Sequence, residues 1–102
     1  MTQALESDLL HALQLLANGD PADAERVMER LKSQAPGEPR VLMLEARVAE
    51  GRGQLDRAMQ AAQAACAAAP MQAVPMLELG RLHALARHAS DKRRRKGIPL
   101  IV

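Results

Sequence analysis

The chain has 102 residues and a formal net charge of +2, which is enough for one domain with one modest core. Apolar residues make up 48% and charged residues 25%, a composition typical of a globular protein and too apolar for a disordered one. The sequence contains no Phe, Trp or Tyr, which excludes base-stacking platforms and aromatic cages for methylated cations.

The first predicted element is a helix over residues 4–17, where apolar residues recur at steps of three and four. Gly19 can adopt the left-handed conformation that ends such a helix. Asp20 offers a capping carboxylate and Pro21 a preset first turn, so a second helix begins there and stops before Pro36.

Three more helices are predicted beyond this point. Pro39 begins the third, which ends near Gly51. The fourth, over residues 55–69, is rich in alanine, and the fifth begins near Pro75 and runs through Leu85. Since no alternating strand pattern occurs, we predict an all-α fold of about five helices.

The strongest signal in the sequence is a regular spacing of small and helix-breaking residues. They recur at the same interval in four series: Gly19 and Gly53; Ala24 and Ala58; Pro36 and Pro70; and Ala12, Ala46 and Gly80. We call this interval the repeat period. Four coinciding series indicate a repeated structural unit.

This pattern resembles the tetratricopeptide repeat, a helix–turn–helix unit that stacks into a short α-solenoid, over roughly residues 4–89. The resemblance implies that the small residues lie where helices cross, with glycines at turns within units and prolines between units. The chain departs from the family at its large residues: Asp8, His11, Glu45 and Ala49 stand where an aromatic residue or leucine is favoured.

The resemblance divides the chain into a first helical hairpin at 1–37, a second at 38–71, and a third-repeat first helix or capping helix at 72–90. A basic and then apolar tail at 91–102 is expected to be disordered or to open a further domain. Because such stacks usually need three repeats, a homo-oligomer, a partner or additional chain could complete this one.

In this family the first helix of each unit lines a concave groove that binds a peptide or helix of a partner protein. The resemblance therefore implies a protein–protein interaction scaffold whose groove comprises Glu6, Leu9, Leu13, Leu16, Arg40, Met43, Arg47, Glu50, Val74, Leu77, Arg81 and Leu85.

Arg47 and Arg81 of this set would favour an acidic partner. The alternative is that the apolar groove residues Leu9, Met43 and Leu77 simply pack on one another as core. The family's carboxylate clamp is not expected, because Leu9 and Leu13 stand where it needs lysine and asparagine.

Five consecutive cations lie near the C-terminus: Lys92, Arg93, Arg94, Arg95 and Lys96. Without them the chain has nine basic and twelve acidic residues, so the remainder is mildly acidic. The run could bind polyanions weakly through phosphate contacts, or could be a solvated tail. Since nothing accompanies it to read bases, we do not expect nucleic acid as a partner.

The apolar run 98–102 that follows allows a further alternative. The chain could be the N-terminal regulatory or oligomerisation segment of a larger repeat-fused enzyme, such as a sulfotransferase.

No catalytic or metal-binding constellation is predicted. His11, His83 and His88 lack partners at ligand spacing, and Cys66 is interpreted as a small buried apolar residue. We therefore expect no enzyme activity within these residues and no cofactor. A lone cysteine, no signal-peptide pattern and no apolar run of ~18 residues together predict a cytoplasmic protein without a membrane span.

Overall fold

The structure is a computed structural model that describes the backbone of residues 2–97 and the side chains of residues 5–88. Five α-helices follow one another: α1 (Thr2–Ala17), α2 (Pro21–Gln34), α3 (Pro39–Gly51), α4 (Leu55–Ala68) and α5 (Ala73–Gly97). No strand occurs in this part of the chain. The predicted all-α repeat fold is confirmed, because each helix packs on the next and α1 also packs on α3.

Two turns that are one repeat period apart have the same backbone geometry. Gly19 and Gly53 adopt φ angles of 79° and 76°. After α1, the amide of Gly19 donates to the carbonyl of Leu16 and that of Asp20 to Leu15, which is the Schellman arrangement. The same bonds recur after α3. The repeated glycine therefore sets the hairpin turn by supplying a left-handed residue.

The first turn of α2 forms as its sequence predicts. The Asp20 carboxylate accepts a hydrogen bond from the amide of Asp23 at 3.4 Å, and Pro21 occupies the first helical position. Asp23 adds a negative charge where the helix dipole favours one. Ala24 on the next turn is fully buried, so the position of the cap also determines which residue of α2 lies at the contact with the neighbouring helices.

Helix α5 is longer than the sequence predicted at both ends. It begins at Ala73, because Pro75 falls within the first turn, where no intrahelical N–H donor is required. It continues past residue 90 to Gly97, since Arg87 stands where the earlier units have their turn glycine. The basic run 92–96 thus lies on helical backbone in the last turns of α5. None of the described helices is long and apolar enough to cross a membrane.

Two hydrophobic clusters occupy the interior. The first joins α1, α2 and α3 through large side chains, including Met28, Leu31 and Val41. The second joins α3, α4 and α5 and consists almost entirely of alanines around Leu82, which is fully buried. Because alanine buries little apolar area, the apolar contribution of α5 comes from the fully buried Leu82 and Pro75 and from the half-buried Leu79.

The repeated small residues lie at helix contacts in the first two hairpins but not on α5. Ala12, Ala24, Ala46 and Ala58 are each at most 1% exposed. Gly80, the third member of the series that contains Ala12 and Ala46, is exposed, and a Cβ atom there would meet nothing within 4 Å. Within residues 2–97, therefore, no helix covers this face of α5, whereas α4 covers the equivalent face of α3.

Candidate partner-binding groove

A cavity of about 360 Å³ lies between α1, α3 and the beginning of α5. It is lined by Leu9, Leu13, Pro39, Arg40, Met43, Leu44, Arg47, Gln72, Val74 and Pro75. Its size is within the roughly 300–1,000 Å³ range of ligand pockets. The surface is mostly apolar, with two arginines among the lining residues. We call it the α1–α3 groove.

The structure brings six of the twelve predicted groove residues to this cavity: Leu9, Leu13, Arg40, Met43, Arg47 and Val74. Glu6 lines a shallower neighbouring cavity of about 300 Å³ with Leu9 and Arg40. Leu16 packs against the first hydrophobic cluster. The remaining four predicted residues, Glu50, Leu77, Arg81 and Leu85, lie outside the cavity.

The two arginines of the groove differ in their ion pairs. Arg40 is held by Glu38, whose carboxylate accepts a hydrogen bond at 3.0 Å, and by Glu6 at 3.5 Å. The hydrogen bond to Glu38 is the main reason that the pKa of Arg40 is raised. Arg47 is exposed and forms no ion pair with the described residues. Arg47 is therefore the groove cation that is available to a carboxylate.

Arg81 is engaged within the chain. Its guanidinium donates two hydrogen bonds to Glu50 on α3, at 2.6 and 2.9 Å, and another to Glu78 one turn away. These bonds raise the pKa of Arg81, with the larger effect from Glu50. Conversely, the bond from Arg81 lowers the pKa of Glu50, and the charge of Arg47 contributes to that shift. Arg81 thus joins α5 to α3 and is already paired.

The apolar residues predicted for the groove fall into two groups. Leu9 and Met43 are half-buried and line the same cavity, and Leu9 also packs against the first hydrophobic cluster. Leu77 is 72% exposed and Leu85 is 40% exposed. Leu77 therefore does not pack with Leu9 and Met43 in the way the core alternative required.

Four lining residues were absent from the predicted set: Pro39, Leu44, Gln72 and Pro75. In the sequence Pro39 and Pro75 are helix-start signals, and the structure shows that the first turn of each of these first helices also lies at the end of the groove. Gln72 belongs to the turn between α4 and α5. The path of this turn is determined by the packing of α5 on α4 and not by a local sequence pattern. Leu44 is 2% exposed and forms the floor of the cavity beside Met43.

Ion pairs connect the helices away from the groove. Arg57 on α4 donates to Glu25 on α2 at 3.0 Å, and this bond raises the pKa of Arg57. Glu45 on α3 is buried and accepts a hydrogen bond from Lys32 at 3.0 Å, with Arg57 3.7 Å away. The carboxylate at a position where the family favours an aromatic residue or leucine is therefore paired with two cations.

Other predicted features lie apart from the groove. Cys66 is half-buried on α4, and no cluster of three His, Cys, Asp or Glu able to hold a metal occurs among the described residues. The side chains of the basic run 92–96, predicted as a weak polyanion site, lie outside the described residues. The same is true of the apolar run 98–102.

The family assignment follows from a match to a sequence model. A model of the tetratricopeptide repeat matches residues 15–77, more than half of the chain. A search of the curated proteins and one of the solved structures found no match. Repeats of this kind typically form protein-interaction scaffolds rather than catalytic domains. With five helices packed in sequence and turn glycines one repeat period apart, the chain belongs to the tetratricopeptide repeat family.

Proposed function

We propose that this chain binds an apolar segment of a partner protein in the α1–α3 groove. The observation that carries this proposal is an open, mostly apolar cavity of about 360 Å³ between first helices of a repeat scaffold. Such a cavity accommodates a few aliphatic side chains of a bound helix or extended peptide. In this proposal α1–α2 and α3–α4 are complete units, and α5 is the first helix of a third.

Charge restricts the partner further. Arg47 lies at the edge of the groove without an ion pair among the described residues, whereas Arg81 is held by Glu50 and Glu78. A partner with one acidic residue beside its apolar anchors would pair with Arg47. We therefore assign the preference for acidic partners to Arg47 and not to Arg81. Because Cys66 is a lone thiol, we also propose a reducing, cytoplasmic environment.

Peptides selected from a random display library on the full chain test this proposal. We expect them to share aliphatic anchors and an Asp or Glu. Val74→Asp places a carboxylate on the groove wall at a residue that is 65% exposed, so folding should be retained. It should weaken binding of a selected peptide at least about tenfold, and Arg47→Glu about threefold to tenfold.

Gln63→Asp is the matched control, because Gln63 is exposed on α4 and does not line the groove. Its affinity for the same peptides should stay within about twofold of that of the parent chain. Peptides that lack apolar anchors, or that bind Val74→Asp and Arg47→Glu as tightly as the parent, would place the binding surface elsewhere.

A further inference from the structure

In the part of the chain that the structure describes, no helix lies against the face of α5 that points away from the groove. Its members are Met76, Gly80, His83 and Arg87, which lie along one side of the helix at steps of three and four and are all exposed. We call it the outer α5 face. A shift of one repeat period relates Met76, Gly80 and His83 to Leu42, Ala46 and Ala49 on α3.

The equivalent face of α3 is covered. Ala46 and Ala49 are 1% and 0% exposed and belong to the same cluster as Ala58 and Ala62 of α4. On α5, by contrast, Met76 is 62% exposed and the space beside Gly80 is open. Among the described residues no helix covers this face, because α5 continues as one helix to Gly97 through the point where α3 turns back.

We propose that the outer α5 face binds a helix of a partner protein that is acidic in its N-terminal half and carries small residues along its contact stripe. The small residues of the partner helix are inferred from Gly80, because a glycine opposite alanines allows two helix backbones to approach closely. The space beside Gly80 corresponds to the one beside α3 that α4, the second helix of the second unit, occupies.

The orientation of the bound helix determines where its acidic residues must lie. Helix α4 follows α3 after a turn of only three residues, so the two run antiparallel. By the same shift of one repeat period, a helix in the corresponding place on α5 begins beside residues 85–89, which include Arg87. Beyond them the α5 backbone continues for about two turns, whose sequence contains one acidic residue, Asp91, and the five cations of residues 92–96. The N-terminus of a helix is itself partly positive, so only acidic residues there make this contact favourable.

A second copy of this chain fits the face less well. Two α5 helices side by side and parallel would bring their basic ends together. If antiparallel, each basic end would meet residues 71–77, which contain no acidic residue, and then Glu78, which is buried and paired with Arg81. Neither arrangement neutralises the cations, whereas an acidic partner helix does.

A synthetic peptide derived from α4 provides a direct probe. It comprises residues 54–69 with Arg57→Glu, Gln60→Glu and Cys66→Ala, has blocked ends and carries a fluorescent label. The control peptide has the same alanine stripe but carries Asp56→Lys, Gln60→Lys and Cys66→Ala. Anisotropy titrations with the full chain should show at least about tenfold tighter binding of the acidic peptide, with an affinity that falls as salt is added.

Gly80→Gln in the full chain tests the location. The substitution improves helix propensity and meets open space, so the free chain should fold at least as well as the parent. It should nevertheless weaken binding of the acidic peptide at least about tenfold, because the side chain blocks close approach. Leu77→Gln, on the groove side of the same helix, should change this affinity by less than about twofold.

Three results would overturn this assignment: equal affinity of the two peptides, equal affinity of Gly80→Gln and the parent, and loss of binding in Leu77→Gln alone. Light scattering distinguishes a second copy of the chain. If the molar mass doubles as the concentration rises in the parent but not in Gly80→Gln, the outer α5 face binds a second copy instead. Because Val74→Asp alters the α1–α3 groove and leaves the outer α5 face intact, failure of either proposal is distinguishable from failure of the other.

Discussion

Arg81 on α5 and Glu50 on α3 form a two-pronged ion pair, with N···O distances of 2.6 and 2.9 Å. The pair joins two helices that are both first helices of their units and that have another helix between them in sequence. Because the guanidinium is planar and presents two parallel N–H groups, this geometry fixes the orientation of α5 more firmly than a single contact would. Glu78 receives a further hydrogen bond from the same guanidinium.

The Arg81–Glu50 ion pair predicts that the unfolding free energy of the chain falls in acid. The pKa of Glu50 is lowered from its ordinary value of 4.5 in the folded chain, mainly by the hydrogen bond from Arg81. The stability that this shift contributes is present above the ordinary value and is lost as the pH falls through the folded one. Arg81→Gln should cost about 0.2–1 kcal/mol at neutral pH, since the pair is partly exposed.

Urea unfolding at about pH 6 and about pH 3 checks this. The loss of unfolding free energy between the two pH values should be smaller in Arg81→Gln than in the parent chain. An equal loss in both chains would show that the ion pair does not shift the titration of Glu50.

Two glycine substitutions should have effects of opposite sign. Gly19→Ala forces a Cβ atom into a backbone with φ of 79° and should lower the unfolding free energy by about 1–2 kcal/mol. Gly80→Ala lies within a helix with open space beside it and should raise the unfolding free energy by about 0.5–1 kcal/mol. Chemical denaturation of both variants measures the difference. Destabilisation by Gly80→Ala would mean that something covers this position in the free chain.

Removing Lys32 and removing Glu45 should lower the unfolding free energy by different amounts, although both break the same hydrogen bond, because the Glu45 carboxylate is buried. Lys32→Leu leaves Glu45 buried, with Arg57 at 3.7 Å as its nearest cation, and should cost about 1–3 kcal/mol. Glu45→Leu instead removes the buried charge and leaves Lys32 hydrated, so the unfolding free energy should change by less than about 1 kcal/mol. Thermal melts at one pH compare the two. A larger loss for Glu45→Leu than for Lys32→Leu would contradict this account.

Leu82 is the largest fully buried side chain of α5. Leu82→Ala should cost about 2–4 kcal/mol, because Leu82 is fully buried among alanines that cannot fill the space it leaves. Leu85→Ala, 40% exposed on the same helix, should cost less than about 1 kcal/mol. Hydrogen exchange should show that Leu82→Ala lowers amide protection in α5 more than in α2. Equal loss throughout the chain would mean that α5 does not open separately.

The sequence alone determined the first four helices and the turns within the first two units. Local chemistry governs both: the apolar steps of three and four make each helix amphipathic, and only glycine adopts the left-handed turns at Gly19 and Gly53 without strain. The regular spacing of the small residues then identified the repeat. The start of α2 was equally local, because the cap at Asp20 involves residues three apart.

Tertiary structure alone decided which of the predicted groove residues meet. Arg47 and Arg81 are equivalent by the repeat, yet one lines the cavity and the other is paired with Glu50, 31 residues earlier in the chain. The exposure of Gly80, by contrast, also has a local cause, because α5 continues where α3 turns back, with Arg87 in the place of the turn glycine. Periodicity places a residue on a helix face, but its partners depend on how distant helices pack, and no local pattern contains that information.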